Sequence, residues 1–326
     1  MGLPVVRYQS KDRAPAWGVL RDGSVFELSV VASNHRDLLS LYGADAQEVH
    51  RSIGAALGTV EEMALVAPID GSVQLFCQGL NYADHRAEGG VSQAGKDDEN
   101  LIFTKAPSSI CGPYDDIIRP KGCELLDYEI ELAMVLSRDI IKPTHVSDAE
   151  LQDYIGAVLI ANDVSARDIS FGAPAMQWFH GKSHRTFCPM GPVLYLLAPD
   201  DVQSLAALEL TLLLNGAVKQ SSSTEHLIHK PSKTLGDISA FANLYAGDCI
   251  LTGTPGGVQL QMNPRTGLSI LMNLRNDQKR RKKLVTAQLA NNPYLQPGDK
   301  LELRIRSKDG AIDLGVQRNT VRDASP

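Results

Sequence analysis

Two short stretches hold most of the side chains able to do chemistry, Asp127-Tyr128-Glu129-Ile130-Glu131-Leu132 and Asn162-Asp163-Val164-Ser165-Ala166-Arg167-Asp168. Glu129 and Glu131 head an apolar run (Ile130, Leu132, Ala133, Met134, Val135, Leu136), which predicts a buried strand over 128–136. Side chains alternate across a strand, so two carboxylates two residues apart share one face. Asp163 closes a second apolar run, 155–161, where a buried strand would emerge into a polar loop. Carboxylates among apolar residues are costly unless something positive compensates them. Meeting, Glu129, Glu131 and Asp163 would form an all-oxygen site suited to Mg²⁺, Mn²⁺ or Ca²⁺ rather than zinc. The competing arrangement is an edge strand with both glutamates in water beside lysines, and spacing alone does not separate the two.

A second constellation lies in Gly79-Leu80-Asn81-Tyr82-Ala83-Asp84-His85-Arg86-Ala87-Glu88. If Asn81 caps a short helix, His85 and Glu88 fall three apart on one face, where a carboxylate orients an imidazole. A histidine held so can take a proton from water near neutral pH; the alternative is an exposed ion pair on a helix surface. Gly89-Gly90 and the polar stretch 92–100 would then make a mobile flank suited to a lid. Lys182 lies between Trp178-Phe179 and Thr186-Phe187, an aromatic setting in which a lysine needs an anionic partner. Gly253-Thr254-Pro255-Gly256-Gly257 follows the apolar Ile250-Leu251; its N–H groups and the Thr254 hydroxyl suit a carboxylate, or it is an ordinary turn. Gly181-Lys182-Ser183 is not a nucleotide-binding loop, since Met176 stands where that motif needs glycine. The nucleophile elbow fails at Arg185, and H-E-x-x-H is absent.

The elements that must position these groups are mostly strands. Residues 5–8, 17–20 and 24–28 read as short strands, and 35–57 has amphipathic helical spacing; together they predict a small N-terminal α+β unit over 1–70. Beyond it, strands are predicted over 101–104, 128–136, 155–161, 193–197, 208–214, 248–252 and 300–306. A basic segment within 262–293 carries Arg275, Lys279, Arg280, Arg281, Lys282 and Lys283. It reads as a solvated helical insertion or as a face for an anionic partner. A net charge of −6 argues against nucleic acid as partner, and no apolar run is long enough for a membrane span. The start lacks a secretory h-region, and five scattered cysteines without C-x-x-C spacing read as reduced thiols, so a cytoplasmic location is expected.

Taken in order, these segments closely resemble the fumarylacetoacetate hydrolase family. The likeness rests on Gly79–His85, Lys105-Ala106-Pro107-Ser108-Ser109, Asp127–Leu132, Ala161–Asp168, Gly181-Lys182-Ser183, Phe187–Pro192 and Thr252–Val258, and covers roughly 71–321. It implies a β-rich α+β fold with a mixed β-roll core, a catalytic domain over 71–326, a homodimer, and Mg²⁺ or Mn²⁺ (Ca²⁺ possible in crystals). It places Glu129, Glu131 and Asp163 as metal ligands, and His85, Glu88 and Lys182 as the catalytic set. Tyr82, Ser170, Arg185, Gly253 and Thr254 fall around a small anionic 2-oxo or diketo acid. The implied activity is C–C hydrolysis of a β-diketo acid of the acylpyruvate or fumarylpyruvate type. Decarboxylation or isomerisation of a 2-oxo acid is the alternative, and a non-catalytic relative using the basic insertion is a third. Two departures stand out: Ser170 replaces a frequent Gln, and Arg185, preceded by His184, replaces a frequent Asp.

Overall fold

The computed structural model describes residues 2–9, 14–90, 99–172, 175–261, 277–290 and 293–325. They form a strand-rich α+β fold with two large sheets and no closed barrel. The ten-stranded sheet runs in the order Ile53–Thr59, Ser24–Leu28, Ala16–Arg21, Leu3–Tyr8, Val193–Leu196, Ile155–Asn162, Ile130–Leu136, Cys249–Leu251, Leu75–Gly79, Leu101–Lys105. The first four of these strands come from residues 1–70 and join the rest where Leu3–Tyr8 pairs with Val193–Leu196. Every pairing is antiparallel except Cys249–Leu251 with Leu75–Gly79, which makes the sheet mixed. The five-stranded sheet comprises Ala217–Ser223, Leu208–Leu214, Lys300–Ser307, Asp313–Asp323 and Ile117–Arg119.

The Ile130–Leu136 strand is buried along its whole length. Ile130, Leu132, Met134 and Leu136 pack with Leu210, Leu212, Leu303 and Ile305 of the smaller sheet. Ala133 and Val135 point the other way, toward Leu159, Leu194 and the His35–Ala44 helix with its Leu38 and Leu39. A strand covered on both faces reads as a continuous apolar run, which is what the sequence carries here. The predicted strand over 128–136 is broken, however. Leu126–Asp127 and Ile130–Leu136 are separate strands, and Tyr128 and Glu129 lie between them.

The helical spacing over 35–57 resolves into three elements. The His35–Ala44 helix ends at Asp45, whose carboxylate accepts the Glu48 N–H at 2.9 Å and starts a second helix, Ala46–Arg51. Residues Ile53–Thr59, which include Gly54 and Gly58, instead pair as a strand with Ser24–Leu28. Sheet pairing overrides the weak helical preference of a glycine-containing segment.

Part of the basic insertion is the Asp277–Leu289 helix; residues 262–276 and 291–292, with Arg275, lie outside the described residues. Lys282 and Lys283 face solvent. Arg280 does not: it is fully buried and its guanidinium donates to the Gly172 carbonyl at 2.6 and 3.1 Å. Arg281 pairs with Asp168 at 2.6 Å, and Leu284 and Val285 pack with Leu125, Tyr294 and Phe171. The helix therefore clamps the short Arg167–Gly172 helix that borders the carboxylates.

Candidate metal centre and active site

Strand register brings the three carboxylates together. Ile130 lies opposite Asn162 and Glu131 opposite Ala161, so the next residue along each chain places Asp163 beside Glu129. The Asp163 N–H donates to the Glu129 carbonyl at 2.8 Å, and the Asn162 side chain accepts the Glu129 N–H at 3.0 Å. One carboxylate oxygen from each of Glu129, Glu131 and Asp163 lies within 4.8 Å of the others, and all three residues are buried. The buried arrangement forms, not the edge strand.

Three buried cations surround them. Lys182 Nζ donates to Glu129 Oε2 at 2.6 Å and to Asp163 Oδ2. Lys105 Nζ donates to Asp163 Oδ1 at 2.5 Å and to the Phe187 carbonyl at 2.8 Å. Arg167 bridges Asp127, at 2.9 Å, and Glu129 Oε1. Asp127 is fixed in turn by the N–H groups of Gln259 and Leu260, at 3.0 and 3.2 Å. Glu131 differs. It accepts the Gly253 N–H at 2.7 Å and has no ion-pair partner among the described residues. Gly253 has a φ of +89°, and an added Cβ would lie 2.8 Å from Asn81 Cβ, so this close approach requires glycine.

Burial alone would raise the Glu129 carboxyl, but Arg167 and Lys182 outweigh it and hold it well below the usual carboxylate range. Burial, with Asp163 and Glu129 nearby, pushes Glu131 well above that range. Burial would likewise lower Lys182, yet Asp163 and Glu129 raise it, so it stays charged. Four buried carboxylates (Asp127, Glu129, Glu131, Asp163) thus face three buried cations (Lys105, Arg167, Lys182). With all of them ionised the cluster is short by a positive charge, at the carboxylate that has no cation of its own. An all-oxygen, electron-rich donor set of this kind fits a hard divalent ion.

The Ala83–Glu88 helix carries His85 to the wall of a cavity that Glu129 and Glu131 also line, with Glu88 behind it. Its N-cap is Tyr82, without a side-chain cap bond. Asn81, the expected cap, instead ties three backbone groups: it accepts the His229 N–H at 2.8 Å and donates to the carbonyls of His229 and Thr252. His85 Nδ1 lies 3.5 Å from Glu88 Oε2, and Glu88 Oε1 accepts the Gly257 N–H at 2.8 Å. His85 is only 7% exposed, so this is no surface ion pair. Of the expected lid flank, residues 91–98 lie outside the described residues.

Above the carboxylates is a cavity of about 210 Å³. His85, Glu129, Glu131, Lys182, Ser170 and Thr254 line it. The Ser170 hydroxyl donates back to the Ala166 carbonyl at 3.1 Å, and Thr254 Oγ1 accepts from the Gln220 amide at 2.8 Å. Tyr82 is fully buried, is not among the lining residues, and its hydroxyl has no partner among the described residues; burial, then Glu131 and Asp84, raise its pKa. Arg185 is exposed and stands outside the cavity wall.

The sequence model described as fumarylacetoacetate (FAA) hydrolase C-terminal matches residues 74–322. The chain belongs to the fumarylacetoacetate hydrolase family. It is 36% identical over 218 residues to the Bos taurus protein named oxaloacetate tautomerase FAHD2A, mitochondrial, covering 66% of this chain and 67% of that one. Among solved structures it resembles a fumarylacetoacetate hydrolase from psychrophilic Exiguobacterium antarcticum (TM-score 0.74, 27% identity, 99% and 100% of the two chains). It also resembles a 5-carboxymethyl-2-hydroxymuconate delta-isomerase from Mycobacterium smegmatis (TM-score 0.68, 25% identity, 100% of each chain). These relatives carry enzyme names of three kinds, and an enzyme is what the family and the buried site support here.

Sequence reasoning gave no role to Lys105, Asp127 or the side chain of Arg167, although all three enter the buried ion pairs around the carboxylates. The available signals were a lysine ending an apolar strand (Leu101–Lys105) and an Asp–Arg pair bracketing the ligand motifs. Trp178 was read as part of the aromatic setting of Lys182, but Phe103 and Phe171, which complete the aromatic wall, were missed.

Proposed function

We propose that this protein hydrolyses a C–C bond in a β-diketo acid with the help of Mg²⁺ or Mn²⁺ held by Glu129, Glu131 and Asp163. The observation that carries this reading is His85, backed by Glu88, on the wall of the cavity that Glu129 and Glu131 of the carboxylate trio also line. A bound divalent ion would supply charge stabilisation for a developing enolate. Glu88, anchored by the Gly257 N–H, holds His85 Nδ1 and leaves Nε2 to take a proton from water. That water adds to the distal carbonyl carbon; the bond from this carbon to the central CH₂ then breaks, and its electron pair leaves on the 2-oxo acid fragment. Protonation of that fragment gives a 2-oxo acid, and the distal part departs as a carboxylate. Lys182, kept cationic by Glu129 and Asp163, donates to the oxyanion. Tyr82, Ser170, Gly253, Thr254 and Arg185 remain our proposal for the substrate surroundings; of these Ser170 and Thr254 line the cavity, Tyr82 and Gly253 lie behind the wall, and Arg185 is exposed.

A second reading is isomerisation or decarboxylation of a 2-oxo acid, and the name of the bovine relative favours its enol–keto tautomerisation form. It needs a proton carrier but no attacking water. Purified protein with Mg²⁺ or Mn²⁺, supplied with an acylpyruvate, should release a 2-oxo acid and a carboxylic acid in equal amounts. Enol–keto conversion of oxaloacetate without cleavage of any diketo acid would replace the first reading by the second. We also propose a homodimer, on the family resemblance, and a cytoplasmic location, supported by five free cysteines. Light scattering and cell fractionation test these two. Among the described residues no helix is long and apolar enough to cross a membrane.

A further inference from the structure

Much of the cavity wall is apolar: Leu80, Phe103, Phe171, Met176, Trp178 and Leu260 line it, with Lys182 Nζ 5.2 Å from the Phe103 ring centroid. Trp178 meets Phe103 edge-on, with centroids 5.3 Å apart and planes at 89°, and Phe171 at 6.5 Å and 67°. The cations that line the cavity, among the described residues, are Arg167 and Lys182, besides the imidazole of His85. Both are committed to carboxylates of the trio or to Asp127. Ser170 turns its hydroxyl proton to a backbone carbonyl. Gln78 gives its amide N–H to Asn100 at 3.1 Å, and its buried oxygen, an acceptor, has nothing to offer an anion. Arg185, the cation that sequence places near the substrate, is exposed and off the wall.

A substrate with a second carboxylate at its far end would therefore set that charge against aromatic rings. Among the described residues, only Lys182 and the Thr254 hydroxyl could pair with it there, and both serve the 2-oxo acid end in the reading above, so the placement is unfavourable. An apolar group in the same place gains contact with ring faces and edges. We infer that the substrate is a 2-oxo acid whose distal substituent is compact and apolar, an aryl or branched alkyl group, and not a second carboxylate. This rests on the reading of the site as one for a 2-oxo acid, excludes the dicarboxylate oxaloacetate as the preferred ligand, and adds the chemistry of the other end. Trp178, Phe103 and Phe171 act as specificity-determining residues.

The test uses binding of unreactive 2-oxo acids, so that it does not depend on which reaction is catalysed. Calorimetric titration of the full chain in Mg²⁺ buffer compares pyruvate, 2-oxoglutarate and 2-oxo-4-phenylbutanoate. The phenyl acid should bind about tenfold or more tighter than 2-oxoglutarate, the scale expected for moving an apolar group out of water against burying an unpaired charge. Met176, 69% exposed at the rim, can be changed without disturbing packing. Met176→Arg should raise 2-oxoglutarate affinity severalfold and narrow the gap. If 2-oxoglutarate binds wild-type protein as tightly as the phenyl acid, the inference is overturned while the 2-oxo acid reading stands. If none of the three binds, both fall. Tighter phenyl-acid binding in a protein that cleaves no diketo acid supports the inference and removes only the hydrolytic reaction.

Discussion

At its inner end the cavity is bounded by strand ends and buried charges; at its outer end it is bounded by short helices and aromatic rings. Inside, Glu129, Asp163, Lys105, Lys182 and Arg167 fix one another through ion pairs whose side chains are almost completely buried. Outside, Ala83–Glu88, Arg167–Gly172 and Trp178–Lys182 are helices of five or six residues. The middle one is braced from behind by the insertion helix through Arg280, Arg281 and the Leu284–Val285 contacts. Sheet register sets the charge pattern, because moving it would unpair strands across a ten-stranded sheet. What the cavity accepts is set by helices resting on that sheet, where substitutions disturb fewer long-range contacts.

Substitutions at the two ends should then fail in different ways. The largest effect is expected at the outer end, on turnover. His85→Ala should lower hydrolytic kcat by about 10²–10⁴-fold while leaving the melting temperature little changed, as steady-state kinetics and calorimetry would measure. A fall in stability to match would erase the distinction between the ends. At the inner end, Glu129→Gln leaves Arg167 and Lys182 partly unpaired in a buried site. It should cost roughly 3–5 kcal/mol of stability by urea unfolding.

Glu131→Gln should act with the opposite sign in chelated protein. The Glu131 carboxyl sits above its unfolded value, so its contribution to stability is complete below about pH 4 and is lost as pH rises through the folded value. Glu129 sits below its unfolded value; its contribution is present above about pH 4 and is lost as pH falls through the folded value. At neutral pH, melting curves without metal should therefore show Glu131→Gln above wild type and Glu129→Gln below it. The smallest effect belongs to the brace. Arg281 is 39% exposed, but its partner Asp168 is fully buried and keeps the Glu124 and Leu125 N–H groups, so Arg281→Ala should cost about 1–2 kcal/mol of stability. Its signature is a KM for the diketo acid that rises more than kcat falls, restored by Arg281→Lys.

The inner end was legible in the sequence because its logic is local. Glu131 lies on the Ile130–Leu136 strand with Glu129 two residues before it, just ahead of that strand, and Asp163 follows an apolar run of strand length. Helical spacing offered the His85–Glu88 pair, and the family resemblance added the fold and the pair's catalytic role. What escaped depends on contacts between segments far apart in the chain. Asn81 was read as a local cap, yet its side chain is used by His229 and Thr252, 148 and 171 residues away. Helical spacing over 35–57 was real, but Ile53–Thr59 found a strand to pair with. The basic run hid its inward residues. Arg280, Leu284, Val285 and Gln288 fall on one helical face and are buried, and only the apolar pair among them signals this in sequence.

The central claim is that Glu129, Glu131 and Asp163 share a divalent cation. Electron paramagnetic resonance of Mn²⁺ titrated into chelator-stripped protein tests it directly, since free and bound ions are counted separately. The account predicts about one tightly held Mn²⁺ per chain in wild type, and its loss in Glu131→Gln and Asp163→Asn variants that remain folded. Undiminished binding in those variants, or no binding in wild type, would contradict it.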